Sequence, residues 1–430
     1  MPPVPEVRGW CPTAFQPMES GDGLLLRAKI IGARISCNQL KAIAHIASSF
    51  GNGLIDLSQR AQFQIRGVRP AMLQDAIGAL KVAGLLTANA EIERIANILA
   101  PPLSGLDASA IINTDRLVAD LATGLAQDAK LYALPGKFLF GLQDGGALPI
   151  DVSQADISIC PATEGRLAVR VAGIDDKAAV VGSNDAIPVA LRLAKAFIDL
   201  RAANPFDLRR MRKLIEDAGL SALVDKAGIV LDRFTPSQSI TTTEFAGAHR
   251  ACGCVFAGVA APAGRWRAEE LDILAEEAAI HGMNEARLTP WRALLFPTSD
   301  LELAIKIKAR AQDIGLIVEA KDPRRYVAAC PGAPECLQAQ GDTRRHLDRL
   351  APLASQYAGS DGVGLHISGC GKGCARRKST PVTLVLDQGK FNLILNGVAQ
   401  DRPTLTNLSC DEVERTLMYN PGMKAPCLAI

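Results

Sequence analysis

The chain has 430 residues, 48% of them hydrophobic, which is enough for two or three domains and a sizeable core. Its 47 basic and 45 acidic residues nearly cancel. That balance excludes a global drive toward nucleic acid or an anionic membrane, so any anionic ligand has to be held by a local cluster.

At the N-terminus, Met1-Pro-Pro-Val-Pro-Glu-Val-Arg8 lacks the charged-then-apolar order of a secretory signal. No uncharged apolar stretch of about 18 residues follows that would span a bilayer. The eleven cysteines, an odd number partly scattered and partly in tight groups, fit a reducing cytoplasm better than a disulfide scaffold.

The first elements read as an apolar strand over Gly23 to Ile31, a helix with Leu40, Ile43, Ala44 and Ala47 at helical spacing, and an apolar strand region over Leu54 to Val68. The pattern then returns. At a constant offset of 231 residues Gly23-Leu-Leu-Leu26 falls on Cys254-Val-Phe-Ala257, Gly51 on Gly282, Leu57-Ser58 on Leu288-Thr289, and Gly84-Leu85-Leu86 on Gly315-Leu316-Ile317. The second helix carries Leu271, Leu274, Ala275 and Ala278. Helix and strand alternate within two related halves, so the expected fold class is α+β, internally duplicated. The expected units are strand-helix-strand modules at 15–72 and 246–300 and larger α+β domains at 73–245 and 301–430. Continuing the offset puts Cys330 on Leu99, Cys336 on Gly105, and Leu365 to Cys370 on Leu134 to Leu139. A ligand is expected in the cleft between the halves.

In the last third, Cys330-Pro-Gly-Ala-Pro-Glu-Cys336 and Cys370-Gly-Lys-Gly-Cys374 supply four thiols in two Gly- and Pro-rich loops. Four thiolates are what an iron-sulfur cube requires, and the loop residues permit the tight turns that aim two sulfurs at one centre. A structural zinc site takes the same number, but usually at shorter spacing. Buried free thiols are the plainer alternative, and Cys252, Cys254, Cys11, Cys37, Cys160, Cys410 and Cys427 are read that way.

Together with His366-Ile-Ser-Gly-Cys370 and Ile55-Asp-Leu-Ser-Gln-Arg-Ala-Gln-Phe-Gln64, these cysteine motifs resemble the sulfite and nitrite reductase superfamily, from about residue 15 to near the C-terminus. The resemblance implies a reductase-like fold of pseudo-twofold halves with ferredoxin-like modules. It implies a 4Fe-4S cluster on Cys330, Cys336, Cys370 and Cys374, with Cys374 the cysteine that bridges to sirohaem iron in a reductase. The cationic set that grips the oxyanion in that superfamily is incomplete here. Arg60 and Lys137 match, but Ala61, Ala96 (before Asn97) and Leu139 stand where the reductases keep polar or cationic groups. Multi-electron reduction of sulfite or nitrite needs several cations to stabilise charge and deliver protons, so a plain reductase is disfavoured.

The start at Arg8-Gly-Trp-Cys-Pro12, the segment Glu285-Ala-Arg-Leu-Thr-Pro-Trp-Arg292 and His366 to Cys370 are similar to the precorrin-3B synthase branch, which takes a tetrapyrrole as substrate. That branch implies a monooxygenase of aerobic cobalamin biosynthesis, acting on precorrin-3A with dioxygen and an electron donor, NADH-linked or a reduced protein. The substrate is hydroxylated and closed to a γ-lactone. A non-haem iron beside the cluster is also implied, with His366, His249 and His281 as candidate imidazoles. Arg60 and Lys137 are the expected catalytic or substrate-binding groups. Arg66, Arg69, Arg94, Arg265, Arg287, Arg292 and the run Arg376-Arg377-Lys378 are further candidates for the substrate's carboxylates. The alternatives are an assimilatory sulfite or nitrite reductase using sirohaem, and a non-catalytic iron-sulfur electron-transfer or tetrapyrrole-binding protein.

Overall fold

The computed structural model describes residues 10–235, 244–359 and 362–419; Arg8, Gly9 and Cys427 lie outside them. The first half starts with β1 (Met18–Ser20), β2 (Gly23–Ala28), β3 (Arg34–Ser36), α1 (Cys37–Phe50), β4 (Leu54–Leu57), β5 (Phe63–Val68) and α2 (Leu73–Val82). Ser36 sets the start of α1: its hydroxyl accepts from the Gln39 amide while the Gln39 side chain accepts from the Ser36 amide. A second unit follows, with α3 (Ala90–Ile95), β6 (Ile98–Leu99), α4 (Thr114–Gln127), β7 (Phe140–Leu142), β8 (Ile157–Pro161), β9 (Leu167–Val171), β10 (Lys177–Val181), α5 (Ala186–Arg201), α6 (Met211–Ala218), α7 (Leu220–Ala227) and β11 (Asp232–Arg233).

The order then repeats as β12 (Gly247–Ala251), β13 (Cys254–Ala260), β14 (Arg265–Arg267), α8 (Ala268–Ile280), β15 (Glu285–Leu288), β16 (Ala293–Thr298) and α9 (Leu301–Asp313). The last unit comprises β17 (Val327–Ala329), α10 (Leu347–Gln356), β18 (Leu365–Ser368), β19 (Thr380–Asp387), β20 (Lys390–Gly397), β21 (Leu405–Leu408) and α11 (Cys410–Tyr419). The molecule is α+β and internally duplicated, with its two halves paired through exchanged strands. Among the described residues no helix is long and apolar enough to cross a membrane.

The two modules are interlocked. The first sheet runs β1-β2-β5-β4-β14 and the second β12-β13-β16-β15-β3, so each ends on a strand from the other half. Trp266 pairs with Ile55 in one sheet and Ile35 with Ala286 in the other. Helices α1 and α8 pack between them, and Leu40, Ile43, Ala47, Leu271, Leu274 and Ala278 share one core. Ala76 and Leu80 of α2 and Ala304 and Ile307 of α9 join that core. By packing, therefore, the modules run on past residues 72 and 300, because α2 and α9 bury their apolar faces in this shared core.

Each outer unit holds a mixed sheet whose first three strands are parallel, β6-β7-β8 and β17-β18-β19. Their registers correct the extended repeat. Ile98 pairs with Phe140 as Val327 pairs with Leu365, so Phe140 is the counterpart of Leu365 and Leu134 to Leu139 precede that strand. The offset slips because the loops between paired strands differ in length in the two halves, and unpaired loops carry no register constraint.

Candidate functional site

Parallel pairing of β17 with β18 brings the cysteines together. Cys330 and Cys370 leave the C-terminal ends of neighbouring strands, and the Cys330 amide donates to the Ile367 carbonyl at 3.3 Å. Crevices at such strand ends are the usual ligand positions of parallel sheets. The loop folds back through a Cys336 amide to Gly332 carbonyl bond of 2.7 Å, and Gln340 donates to the Gly369 carbonyl at 2.7 Å. A side chain on Gly332, whose φ is +76°, would meet the Thr343 amide at 2.6 Å. Glycine is therefore required at that turn.

Four thiols thus share one loop region. Burial pushes the Cys330 thiol up, its neighbours Cys336 and Cys370 add to that, and amides of Gly369 and Gly332 oppose it. The Gly369 amide donates to Cys330 Sγ at 3.2 Å. Cys374 reaches solvent, yet packed surroundings still raise its thiol against the pull of Lys372, with the other three cysteines adding to the rise. Four mutually opposed thiols with an amide aimed at sulfur fit a cluster that takes them as thiolates. Among the described residues, no three His, Cys, Asp or Glu side chains close tightly enough to hold a single ion.

Facing this loop is the polar face of the first sheet. Phe63, Ile65, Ile55, Leu57, Leu26 and Ala28 point into the shared core, so by strand alternation Arg27, Gln64, Arg66 and Asp56 point the other way. Arg27 and Lys29, two residues apart, are 8% and 7% exposed. Lys29 donates to Asn97 Oδ1 at 3.0 Å, and burial followed by the nearby Arg27 charge holds its ammonium down to about 7. Arg60 donates to the Lys137 carbonyl at 3.0 Å, which joins the two predicted catalytic residues. Burial lowers both, and Lys137 also feels Arg377, Arg60 and Lys372. The Cys11 thiol lies near Arg60, Lys137 and Lys29. Arg27 Nε and Arg60 Nη1 are buried without an acceptor.

Sequence reasoning missed Arg27 and Lys29, although the alternation Leu-Arg-Ala-Lys over 26–29 carried the signal. Ala61, Ala96 and Leu139 are 1%, 2% and 4% exposed, and Ala61 and Leu139 pack into the shared apolar core rather than lining an open cleft.

The other candidate cations have structural tasks. Arg66 binds Asp22 at 2.9 Å and Asp56 at 3.1 Å, Arg265 binds Asp56 at 2.8 Å and Glu335 at 2.5 Å, and Arg344 reaches Asp56 at 3.5 Å. Arg287 is held by Glu285 and the carbonyls of Pro102 and Ser104, Arg69 by the Ser49 carbonyl, and Arg94 by those of Leu134 and Tyr132. Arg292 bonds the carbonyls of Ala263 and Ala375, Arg376 the Thr380 hydroxyl, and Lys378 pairs with Asp151 at 2.9 Å. Of that set, exposed Arg377 is the one whose charge reaches Lys137.

The three histidines stand in separate places. His249 contacts the Ala246 carbonyl and stacks on Phe256, and His281 meets Glu277 at 2.9 Å. His366 is fully buried in β18 with neither ring nitrogen partnered, and burial, Arg376 and Arg292 depress it to about 4. Among the described residues the three do not gather into one group of metal-ligating side chains.

Residues 16–83 match the nitrite/sulfite reductase ferredoxin-like half domain. The chain is 27% identical over 412 residues to the precorrin-3B synthase of a Sinorhizobium species, covering 92% of this chain and 84% of that one. It is 25% identical over 389 residues to the chloroplastic ferredoxin–nitrite reductase of Spinacia oleracea, covering 82% and 64%. Over most of its length the chain is thus similar to proteins of the sulfite/nitrite reductase superfamily. The NirA protein of Mycobacterium tuberculosis shares the fold, with a TM-score of 0.72 at 18% identity over 94% of this chain and 82% of that one. That similarity supports an enzyme of the oxidoreductase kind with an iron-sulfur cofactor.

Proposed function

We propose that the chain is a cytoplasmic precorrin-3B synthase, a monooxygenase that hydroxylates precorrin-3A and closes the product to a γ-lactone in aerobic cobalamin biosynthesis. The observation that carries this reading is the wall of buried Arg27 and Lys29 and half-buried Arg60 and Lys137 opposite the cysteine loop, where two guanidinium nitrogens still lack an acceptor. A substrate bearing several carboxylates supplies the acceptors that such a wall lacks. Near-complete mutual coverage with the Sinorhizobium precorrin-3B synthase supports the same choice.

Cys330, Cys336, Cys370 and Cys374 hold the 4Fe-4S cluster, which when bound supplies single electrons drawn from an external donor. Overall, one dioxygen, two electrons and two protons give the hydroxylated tetrapyrrole and one water. Arg27, Arg60 and Lys137 bind and orient the carboxylates. Lys29, poised near neutrality beside Asn97, holds or releases a proton at Nζ. No step is assigned to a non-haem iron.

The test is anaerobic purification with iron and acid-labile sulfide analysis, followed by incubation with precorrin-3A, reductant and isotopically labelled dioxygen. One labelled oxygen atom in the product is expected. A sirohaem spectrum with turnover of sulfite or nitrite would overturn the reading in favour of a reductase. Recovery of bound but unchanged precorrin-3A would make the chain a carrier.

A further inference from the structure

The turn between β15 and β16 carries an arginine where its counterpart in the first half carries a methyl group. At the offset of 231 residues that links Gly51 to Gly282, Arg292 falls on Ala61. The two turns share one geometry, for the Ala61 amide donates to the Ser58 carbonyl at 3.0 Å and the Arg292 amide to the Thr289 carbonyl at 3.1 Å. Both residues stand in the left-handed region, Ala61 at φ +51° and Arg292 at φ +64°. A long side chain is rarely placed there, because the conformation is strained for any residue but glycine. Gly264 makes room for it: a Cβ at that position would lie 2.5 Å from Arg292 Cδ.

What the side chain reaches is the cysteine region. Its Nη1 donates to the Ala263 carbonyl at 3.1 Å, and its Nη2 reaches, at 3.5 Å, the carbonyl of Ala375, the residue after Cys374. Burial pulls the guanidinium down, and the charges of Asp56 and Cys330 oppose that, so Arg292 also lies within electrostatic reach of the first cysteine segment. Asp56 is already shared by Arg66, Arg265 and Arg344. Among the described residues Arg292 itself forms no ion pair, and the neighbouring His366, fully buried, offers it no bond. Arg344 feels Cys330 as well, but spends its charge on Asp56 at 3.5 Å.

We propose that Arg292 is a positioning residue for electrons: set between the two cysteine segments, its charge raises the reduction potential of the cluster held by Cys330, Cys336, Cys370 and Cys374. The proposal rests on the cluster assignment given above. Adding one electron makes a cluster one unit more negative, so a nearby cation stabilises the reduced form more than the oxidised one. Carbonyl bonds hold the guanidinium in place without cancelling its charge. If Arg292 only tied its turn to Ala263 and Ala375, a neutral donor would serve equally, and burying an unpaired charge would bring nothing in return.

A redox titration of the full chain, purified anaerobically and followed by electron paramagnetic resonance, tests this on the wild type, Arg292→Gln and Arg292→Lys. Iron and acid-labile sulfide analysis establishes the cluster content of each. Arg292→Gln is expected to weaken reduction about tenfold, a fall of about 59 mV for a one-electron couple. Arg292→Lys keeps the charge and is expected to recover at least half of that fall. Arg292→Ala, a side chain the first half accepts at the same turn, replaces the glutamine variant if that one loses iron. An unchanged potential in a neutral variant with full cluster content overturns the proposal, and so does an equal fall in the lysine variant. Loss of iron from both neutral variants would make Arg292 a structural tie and overturn it too. A wild-type chain without a cluster would sink the cysteine assignment along with it. The potential is read without precorrin-3A, so failure of hydroxylation leaves this result standing.

Discussion

Lys29 shows how a single residue records the cost of building the site. Its ammonium is buried against Arg27 with one neutral partner, Asn97, and is held down to about 7 from the ordinary 10.5. Between those two values the unfolded chain carries the extra proton, so native stability rises with pH across that window. Below pH 7 the residue is charged in both states and the full burial cost remains. Lys29→Met is expected to stabilise the protein by roughly 2 to 4 kcal/mol below pH 7, with the gain vanishing toward pH 10.5. Urea unfolding at both ends of the range checks this, and equal gains at both ends would show that burial of the charge is not the cause. The same variant should bind precorrin-3A less tightly, as expected of a site that trades stability for function.

At the scale of elements, the strand exchange does more than close two sheets. It carries Arg265 of β14 beside Asp56 of β4, where Arg66 and Arg344 also converge. Burial would raise the Asp56 carboxyl, but Arg344, Arg265 and Arg66 outweigh it and hold the group well below the usual carboxylate range. Arg265 and Arg66 also grip Glu335 inside the first cysteine loop, and Gly21 packs so closely there that a Cβ would lie 1.9 Å from the Pro334 carbonyl oxygen. Asp56→Asn leaves buried Arg66 and largely covered Arg265 and Arg344 short of their shared anion and is expected to cost about 3 to 5 kcal/mol. A carboxyl depressed in the native state stabilises above its unfolded value and loses that contribution as pH falls through the acid range. The variant should therefore show a shallower decline of stability on acidification, together with faster loss of iron to a chelator. Guanidinium unfolding across acid pH and iron-release rates measure the two effects. Wild-type iron retention would mean the network does not support the cysteine loop.

For the whole molecule, the shared core predicts that neither half folds alone. Residues 1–245 without β14 leave β4 as an open edge, and both α1 and α8 lose the apolar face they pack against. Expressed separately, 1–245 and 246–430 are expected to be largely unfolded, and mixing them should restore structure. In the intact chain Trp266, fully buried beside Ile55, should report one cooperative transition for both modules. Native-like near-ultraviolet dichroism from either fragment alone would contradict this.

Much of this architecture was legible in the chain itself. A fixed offset linking Gly51 to Gly282 and Gly84 to Gly315 disclosed the duplication, because turn glycines and helical spacing are local requirements that each copy must satisfy. The cysteine spacing pointed to a cluster for the same local reason. The exchange of β3 and β14 depends on pairings across more than 200 residues, which local pattern does not encode. Only the fold could separate Arg27 and Lys29, turned by strand alternation toward the cleft, from Arg66 and Arg265, spent on buried carboxylates. Sequence determined which groups are present; tertiary structure decided which charges remain available to a ligand, because a cation's partner is set by what folds against it.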